Sequence, residues 1–325
     1  MNINEIAKMA GVSRATVSRY LNDGYVSEEK KDRIRAVIEK TGYQPSSQAQ
    51  MLRTKKTRLI GVIIPKINSD TVSRMVAGIS LVLAKYEFQL LLANTNNDAE
   101  EELNYLNLFK ENKVDGVILI GTIFTKKHLK LLKEYQVPVV ILGQHLEGYS
   151  CVYQDDYSAS REMAKRLLTT SRRVGFIGVT QKDEAAGRSR QAGYEDALKE
   201  QGKEDSACIV EADFNIEAGY RAAKELFSRE ADVDALLCAT DNIAIGALTY
   251  LKEKHIPVPE KVQVAGFGDT PMASIVEPSL TTVHFYYKTS GTEAAQILMD
   301  LIETDEKVRK SVKMGYEIIM KSSTR

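Results

Sequence analysis

The chain has 325 residues, 43% of them hydrophobic, with no formal net charge, which allows two or three globular domains and excludes a uniformly basic or acidic protein. Its three cysteines are widely spaced and form no Cys-x-x-Cys pair, which argues against a disulfide framework or a zinc site and indicates a reducing cytosol. The N-terminus is polar and no apolar run reaches membrane-spanning length. We therefore expect a cytoplasmic protein without a membrane partner.

Charge is unevenly distributed along the chain. Residues 1–58 carry twelve Lys or Arg and six Asp or Glu, a net charge of +6, so the remaining 32 basic and 38 acidic residues give −6. A basic head on an acidic body is typical of a protein whose head binds nucleic acid.

Two short helices are predicted at the N-terminus. Asn2, with an acid three residues later, resembles a capping box for a helix over about 3–10. Gly11 breaks that pattern, and Ser13 can cap a second helix over about 14–21. Two short helices joined by a tight turn containing glycine are typical of a helix-turn-helix motif.

A third helix is expected to complete this small domain. Ser27 can cap it, it runs to about residue 40, and Gly42 ends it. Its apolar residues Ile34, Val37 and Ile38 can close a core against the first two helices.

The second helix presents one face without any acid. At roughly 100° per residue this face collects Arg14, Ala15, Ser18, Arg19 and Asn22. Paired arginines and small side chains suit a helix in the DNA major groove, where Arg reads guanine. From the pattern alone, an ordinary solvated face of an amphipathic helix remains the alternative.

Residues 3–13, 16–22 and 42–45 resemble the headpiece of the LacI/GalR family of transcription regulators, and the similarity extends over essentially the whole chain. The resemblance implies that Arg14, Ala15 and Arg19 read bases, while the polar residues around them contact phosphates. The expected DNA-binding residues are Ser13, Arg14, Ala15, Thr16, Ser18, Arg19, Asn22, Tyr43, Ala49 and Leu52.

Residues 45–53 form the expected hinge. The segment is too short to be a stable helix alone. The resemblance implies that it folds on operator DNA, pairs with its dimer mate and inserts Leu52 between base steps of the minor groove. A flexible linker is the alternative. Gln48 departs from the family, in which many members carry an apolar residue there, and so puts the pairing in question.

From Leu59 onward, apolar β-branched runs alternate with helical stretches near 69–87, 99–113 and 125–135, which predicts doubly wound parallel sheets. The series repeats after about residue 160, and we expect two lobes with crossings near 158–161 and 285–290, as in periplasmic sugar-binding proteins. The predicted strands cover residues 59–65, 89–93, 116–120, 137–142, 173–179, 207–210, 235–239 and 262–267.

The predicted fold class is therefore an all-α helix-turn-helix headpiece followed by an α/β core of two doubly wound parallel-sheet lobes. The expected N-lobe takes about 58–160 and part of 287–315, and the C-lobe takes about 161–286 and the C-terminal strand. The expected domains are 1–44 for the headpiece, 45–57 for the hinge and 58–325 for the core.

Ligands of such sheets bind beyond the carboxyl ends of the strands, here between the lobes. Arg190 matches the family arginine that contacts ligand hydroxyls, and a guanidinium suits neighbouring sugar oxygens because its donors are fixed. Phe214 matches a ring that packs on the ligand. Without the resemblance, these two would be an ordinary surface arginine and a core aromatic. Asp241 follows a strand and either accepts sugar hydroxyls or caps the next helix.

Two positions depart from the family's sugar-binding pattern. Gly268 stands where many members carry an acid, so we expect Asp269 to replace it, and Gln144 follows a strand after which some members carry an acid. The expected effector-binding residues are Asp70, Ser73, Arg190, Phe214, Asp241 and Asp269.

Enzymatic signatures are missing from the sequence. It has no phosphate loop, no dinucleotide-binding glycine pattern and no Gly-x-Ser-x-Gly elbow. The four histidines lack metal-ligand spacing. We therefore expect no catalytic residues, no metal and no cofactor.

The sequence thus predicts a repressor of a carbohydrate-utilisation operon, bound as a homodimer to a pseudopalindromic operator and controlled by a small sugar. Similarity to sucrose- and trehalose-type regulators leaves a disaccharide or a sugar phosphate as effector. A final strand near 314–320, with no leucine-rich tail after it, favours a dimer over a tetramer. The alternatives are a cytosolic sugar-binding module and a sugar-processing enzyme, neither with a DNA role.

Overall fold

The computed structural model describes residues 1–22, 24–43, 56–230, 232–304 and 308–325. The chain divides into two compact units, Met1–Thr57 and Arg58–Arg325. The predicted hinge residues Gln48, Ala49 and Leu52 lie outside the described residues, so their predicted roles stay predictions.

The N-terminal unit is helical. Asn2 caps the first helix, because its side chain accepts the backbone N–H groups of Asn4 and Glu5 while the Glu5 carboxylate accepts the N–H of Asn2. Ser13 caps the second helix through the backbone N–H of Thr16, 3.1 Å from its hydroxyl. The helices are α1 Ile3–Ala10, α2 Arg14–Tyr20 and α3 Glu28–Thr41.

A small apolar core joins these three helices. Ser27 occupies the position before α3 but makes no side-chain capping bond, so the cap predicted there is wrong in that detail. Arg33 of α3 donates to the Gly11 carbonyl at 3.1 Å, which ties α3 to the turn between α1 and α2. The buried core residues are Ile6, Ala7, Ala10, Val17 and Ile34.

The first lobe of the larger unit is a six-stranded parallel sheet in the order β11-β5-β4-β3-β1-β2. Its strands are β1 Leu59–Ile64, β2 Gln89–Asn94, β3 Gly116–Leu119, β4 Val139–Leu142, β5 Ser150–Gln154 and β11 Ser311–Met314. Its helices are α4 Asp70–Lys85, α5 Ala99–Glu111, α6 Lys126–Lys133 and α12 Tyr287–Glu303.

The second lobe is a six-stranded sheet in the order β12-β10-β9-β8-β6-β7. Its strands are β6 Val174–Gly178, β7 Cys208–Glu211, β8 Ala235–Cys238, β9 Gln263–Phe267, β10 Thr281–Phe285 and β12 Tyr316–Ile319. Its helices are α7 Asp156–Thr170, a π-helical turn Glu184–Ser189 that continues as α8 Arg190–Glu200, α9 Ile216–Arg229, α10 Asp241–Glu253 and α11 Pro271–Ile275.

The two sheet lobes confirm the predicted fold class, with four differences in detail. Strand β10, Thr281–Phe285, was not among the predicted strands. Strand β5 was not predicted, because its residues 150–154 form no continuous apolar run, and it moves the first crossing from 158–161 to residue 155. The final strand predicted near 314–320 is two strands separated by Gly315, one for each sheet. Strand β12 pairs antiparallel with β10, so the second sheet is not wholly parallel.

One buried acid–imidazole pair lies between α5 and α6. Glu102 and His128 have side chains only 5% and 0% exposed, with 3.3 Å between the carboxylate oxygen and the ring Nε2. Burial raises the pKa of Glu102 to about 7 and lowers the pKa of His128. The pair is therefore held in the first lobe in an environment that disfavours charge on either partner.

Candidate functional site

The outer face of α2 carries free basic side chains. Arg14, Ala15 and Arg19 are exposed, and neither guanidinium makes a hydrogen bond or an ion pair within the described residues. Val17, on the opposite face, is fully buried in the headpiece core. The helix is thus anchored on one side and presents two unpaired cations on the other.

The neighbouring polar residues are partly occupied by the helix itself. The Ser13 and Thr16 hydroxyls lie 2.9 Å apart at the helix start, and Asn22 donates to the Ser18 carbonyl at its end. Tyr43 is half-buried and packs on the headpiece core. Its ring therefore has a structural role, and the predicted DNA contacts of this set stay predictions.

A cavity of about 200 Å³ lies between the lobes, at the carboxyl ends of the strands of both sheets. Four of the six predicted effector residues line it: Asp70, Arg190, Phe214 and Asp241. Each follows a strand of its sheet, which is why residues so distant in sequence meet there.

Arg190 is not a surface arginine. It is 5% exposed. Its Nε donates to a carboxylate oxygen of Asp156 at 2.8 Å, and its Nη2 forms an ion pair with the same oxygen at 2.7 Å. A further N–H donates to the Ala239 carbonyl, and the guanidinium packs 4.7 Å from the Phe267 ring centroid and 5.4 Å from that of Phe285. Burial raises the pKa of Asp156, and the charge of Arg190 opposes that rise. These contacts hold Arg190 in a fixed position in the lining of the cleft.

Asp241 has a role that the sequence did not indicate. Thr240, and not Asp241, caps α10, while the Asp241 carboxylate accepts the Thr270 backbone N–H at 2.8 Å and the Thr282 hydroxyl at 2.5 Å. Burial raises the pKa of Asp241, and these hydrogen bonds oppose the rise. Gly268 lies beside it with φ +134°, and a Cβ there would stand 3.4 Å from an Asp241 oxygen. The position suits glycine because side-chain-bearing residues rarely adopt φ +134°.

Two predicted effector residues do not line the cavity. Asp269 has φ +46°, and its carboxylate contacts His284 at 2.9 Å and Lys321 at 3.2 Å. Burial raises its pKa, but the hydrogen bonds from His284 and Lys321 bring the net shift below its ordinary value. Ser73 donates to the Asp70 carbonyl one turn earlier in its own helix. The structure therefore does not bring Asp269 to the cleft in place of an acid at 268.

Other lining residues were missed by sequence reasoning. Gln154 ends β5, a strand that was not predicted, Asp156 begins α7 two residues later, and Thr270 directly precedes α11. Asp183 caps the π-helical turn before α8, and Tyr287 begins α12 with burial raising its pKa to about 12. The available signal for Asp156 and Asp183 was an aspartate at or directly before a helix start, and no signal in the sequence indicated Tyr287.

The cleft holds no cluster of metal ligands. Within the described ranges, no three His, Cys, Asp or Glu side chains are arranged to hold a metal ion. None of the helices in those ranges combines the length and the apolar character needed to cross a bilayer. The lining instead mixes aromatic rings with carboxylate, amide and hydroxyl groups, a composition that suits a small polyhydroxylated ligand.

Comparisons with known proteins agree with both parts of the chain. The profile of bacterial regulatory proteins of the lacI family matches residues 2–46, and the periplasmic binding protein-like domain matches residues 170–324. The sucrose operon repressor of Staphylococcus xylosus is 32% identical over 97% of this chain and 99% of its own length.

Solved structures of regulators share the fold. The transcriptional regulator CelR–cellobiose complex superposes with a TM-score of 0.75 at 28% identity, covering 99% of both chains. The lac repressor dimer bound to operator and the anti-inducer ONPF has a TM-score of 0.90 at 21% identity, covering 100% of this chain and 99% of that one. The chain belongs to the LacI family of bacterial transcriptional regulators.

Proposed function

We propose that this protein represses a carbohydrate-utilisation operon by binding operator DNA as a homodimer, and that a small sugar bound between the lobes controls it. The observation that carries the proposal is one chain holding both an unpaired basic face on α2 and a polar, aromatic-lined cleft between two lobes. The sucrose operon repressor, alike over nearly the full length, supports the combination.

The α2 face supplies the readout of DNA. Arg14 and Arg19 reach guanine edges in the major groove, and Ala15 permits close approach or contacts a thymine methyl. Ser13, Thr16 and Asn22 hold the helix on the phosphate backbone. Two heads of a homodimer, with hinges that insert Leu52, read the two halves of a pseudopalindrome.

The cleft supplies the control. Arg190 and Asp70 contact ligand hydroxyls from opposite lobes, while Phe214 packs on the ring of the sugar. A ligand that contacts both lobes favours one arrangement of the core over another. It changes operator affinity by the difference between its own affinities for the two arrangements. The protein releases its ligand unchanged, because its role is binding and not turnover.

Operator selection from a random duplex library tests the DNA role. We expect the selected sequence to be pseudopalindromic and Arg19→Ala to lower discrimination against a mismatched half-site about 10- to 100-fold. Arg229→Ala is the matched control, since Arg229 is an exposed arginine of the larger unit, paired with Glu225 at 2.6 Å. Unchanged sequence preference in Arg19→Ala overturns the assignment. An affinity for duplex DNA that does not change with salt concentration favours a sugar-binding module without a DNA role.

A further inference from the structure

We propose that Arg74 tethers the two lobes of the larger unit to each other, and that Asp70 at the cleft is linked to the second lobe through it. Arg74 is a positioning residue in this proposal, because it acts on the lobes and on Asp70 and not on a ligand. The link from Asp70 to effector control rests on the proposed function, whereas the tether itself does not.

Arg74 contacts both lobes at once. It lies one turn after Asp70 on α4, and its Nη2 stands 3.0 Å from an Asp70 carboxylate oxygen. The same nitrogen donates to the backbone carbonyl of Gly268, in the bend that follows β9 of the second lobe. Its guanidinium carbon lies 5.2 Å from the centroid of the Tyr287 ring, at the start of α12. A side chain of the first lobe therefore holds a backbone group of the second.

The bend that carries the acceptor is fixed to the second lobe. Residues 268–270 donate three consecutive backbone N–H groups to other parts of that lobe. The acceptors are, in order, the Val283 carbonyl at 2.9 Å, the Thr282 hydroxyl at 3.2 Å and the Asp241 carboxylate at 2.8 Å. The Gly268 carbonyl consequently moves with the lobe, and a displacement of the lobe breaks its bond to Arg74.

The helix that carries Arg74 is fixed in the first lobe. Helix α4 packs against α12 at two glycines, where a Cβ on Gly78 would overlap the Lys288 carbonyl oxygen and a Cβ on Gly291 would overlap that of Met75. Glycine at both positions allows the two backbones to approach closely. Both ends of the tether thus belong to rigid parts of their lobes.

The chain itself joins the lobes at three short crossings, near residues 155, 286 and 315. A few residues at the ends of elements are enough to absorb the backbone changes of a hinge motion. The Arg74–Gly268 contact is of another kind, since it breaks and re-forms as the lobes move. A hydrogen bond from a charged donor is stronger than one between neutral groups, so its loss shifts the balance between lobe arrangements.

Asp70 is placed to pass a change at the cleft on to this tether. It lines the cavity and is the ion-pair partner of Arg74. Among the described residues, its buried Oδ2 accepts no aligned hydrogen bond and the buried Nε of Arg74 finds no acceptor. The pair is therefore incompletely satisfied. A hydroxyl that donates to Asp70 competes with Arg74 for the carboxylate and alters the hold of Arg74 on Gly268.

Interlobe distances test the tether without any ligand. Spin labels on Lys133→Cys of α6 and Lys224→Cys of α9, both exposed positions, report the distance between the lobes of the full chain by pulsed electron paramagnetic resonance. The chain's own three cysteines are buried. Labelled chains are diluted with unlabelled chains, so that only distances within one chain contribute.

We expect Arg74→Met to give a broader distance distribution than the labelled protein that keeps Arg74. Arg74→Lys should broaden it less, because lysine keeps the charge but lacks the planar fork that serves two acceptors. The lysine variant also decides the matter if the methionine variant does not fold.

Two controls separate the interlobe bond from the ion pair on α4. Arg166→Met removes an arginine that pairs with Glu162 at 2.8 Å, one turn earlier on α7, so the same spacing is broken within a single lobe. Asp70→Asn removes the ion pair and keeps the bond from Arg74 to Gly268. Both variants should keep the original distance distribution.

Operator affinity with and without a saturating sugar tests the link to Asp70. The ratio of the two affinities should be about 2- to 30-fold smaller in Arg74→Met than in the wild type, and Arg74→Lys should restore part of it. A side chain that only stabilised the fold would leave this ratio unchanged.

Each result decides one part of the proposal. Unchanged distances in both Arg74 variants overturn the tether, and so do equal changes in Arg166→Met or Asp70→Asn. Changed distances with an unchanged affinity ratio overturn the link through Asp70 and leave the tether standing. Failure of every sugar to bind overturns the sugar-effector proposal together with that link, while the distances still decide the tether.

Discussion

Replacement of Arg190 should destabilise the protein as well as disturb the ligand site. Arg190→Met leaves the Asp156 carboxylate, 4% exposed, buried without its partner. Breaking a buried ion pair by removing one side costs about 3–5 kcal/mol, which corresponds to a lowering of the melting temperature by roughly 10 °C in a domain of this size. The double variant Arg190→Met/Asp156→Asn removes both charges and should regain much of that loss, because no uncompensated charge remains.

Denaturant unfolding of the two single variants, the double variant and the wild type gives a double-mutant cycle. Arg229→Met is the control for loss of an exposed arginine and should cost less than about 0.5 kcal/mol. If Arg190→Met costs under about 1 kcal/mol, or the double variant is no more stable than the single ones, the buried pair is not a structural element of the cleft. If the double variant folds well and still binds sugar normally, Arg190 is not an effector contact.

Two further substitutions test other features of the structure. Glu102→Gln should match the wild type in stability below pH 4.5 and become up to about 3 kcal/mol more stable by pH 8. Folded wild-type protein keeps the Glu102 proton up to a pKa of about 7, whereas the unfolded chain loses it near pH 4.5. The free energy of unfolding of the wild type therefore falls as the pH rises between these two pKa values. A pH-independent difference in thermal unfolding contradicts the burial argument. Gly11→Ala should cost about 1–2 kcal/mol from φ +62° alone, plus the displacement of Arg33, because the added Cβ would clash with its Nη2. Gly42→Ala is the control, because Gly42 has φ +63° and open space around the added Cβ. Equal losses of protection against amide hydrogen exchange in the two variants would contradict a contribution from Arg33 to the cost of Gly11→Ala.

The headpiece followed closely from the sequence because its signals are local. Asn2 and Glu5 are three residues apart, and their capping box forms as expected. Gly11 ends α1 in the left-handed conformation that glycine favours. The missing bond at Ser27 shows the limit, since residue type indicates a capable cap but not the orientation of its hydroxyl.

The cleft could be predicted only in part because its contacts join distant segments. Strand ends placed Arg190 and Asp241 there, but the pairing of Arg190 with Asp156 spans 34 residues and depends on the unpredicted strand β5. Asp269 follows a strand as Asp241 does, yet its positive φ is accompanied by contacts to His284 and Lys321. No spacing in the sequence encodes that difference.

The coupling between the two binding functions is the most direct test of control through the interlobe site. Operator affinity is measured with and without a saturating sugar identified by calorimetric titration, and sugar affinity is measured with and without saturating operator. We expect the two ratios to be equal and to lie between about 5 and 150, since linkage is reciprocal. A sugar that binds the cleft and leaves operator affinity unchanged would contradict control of this regulator through its interlobe site.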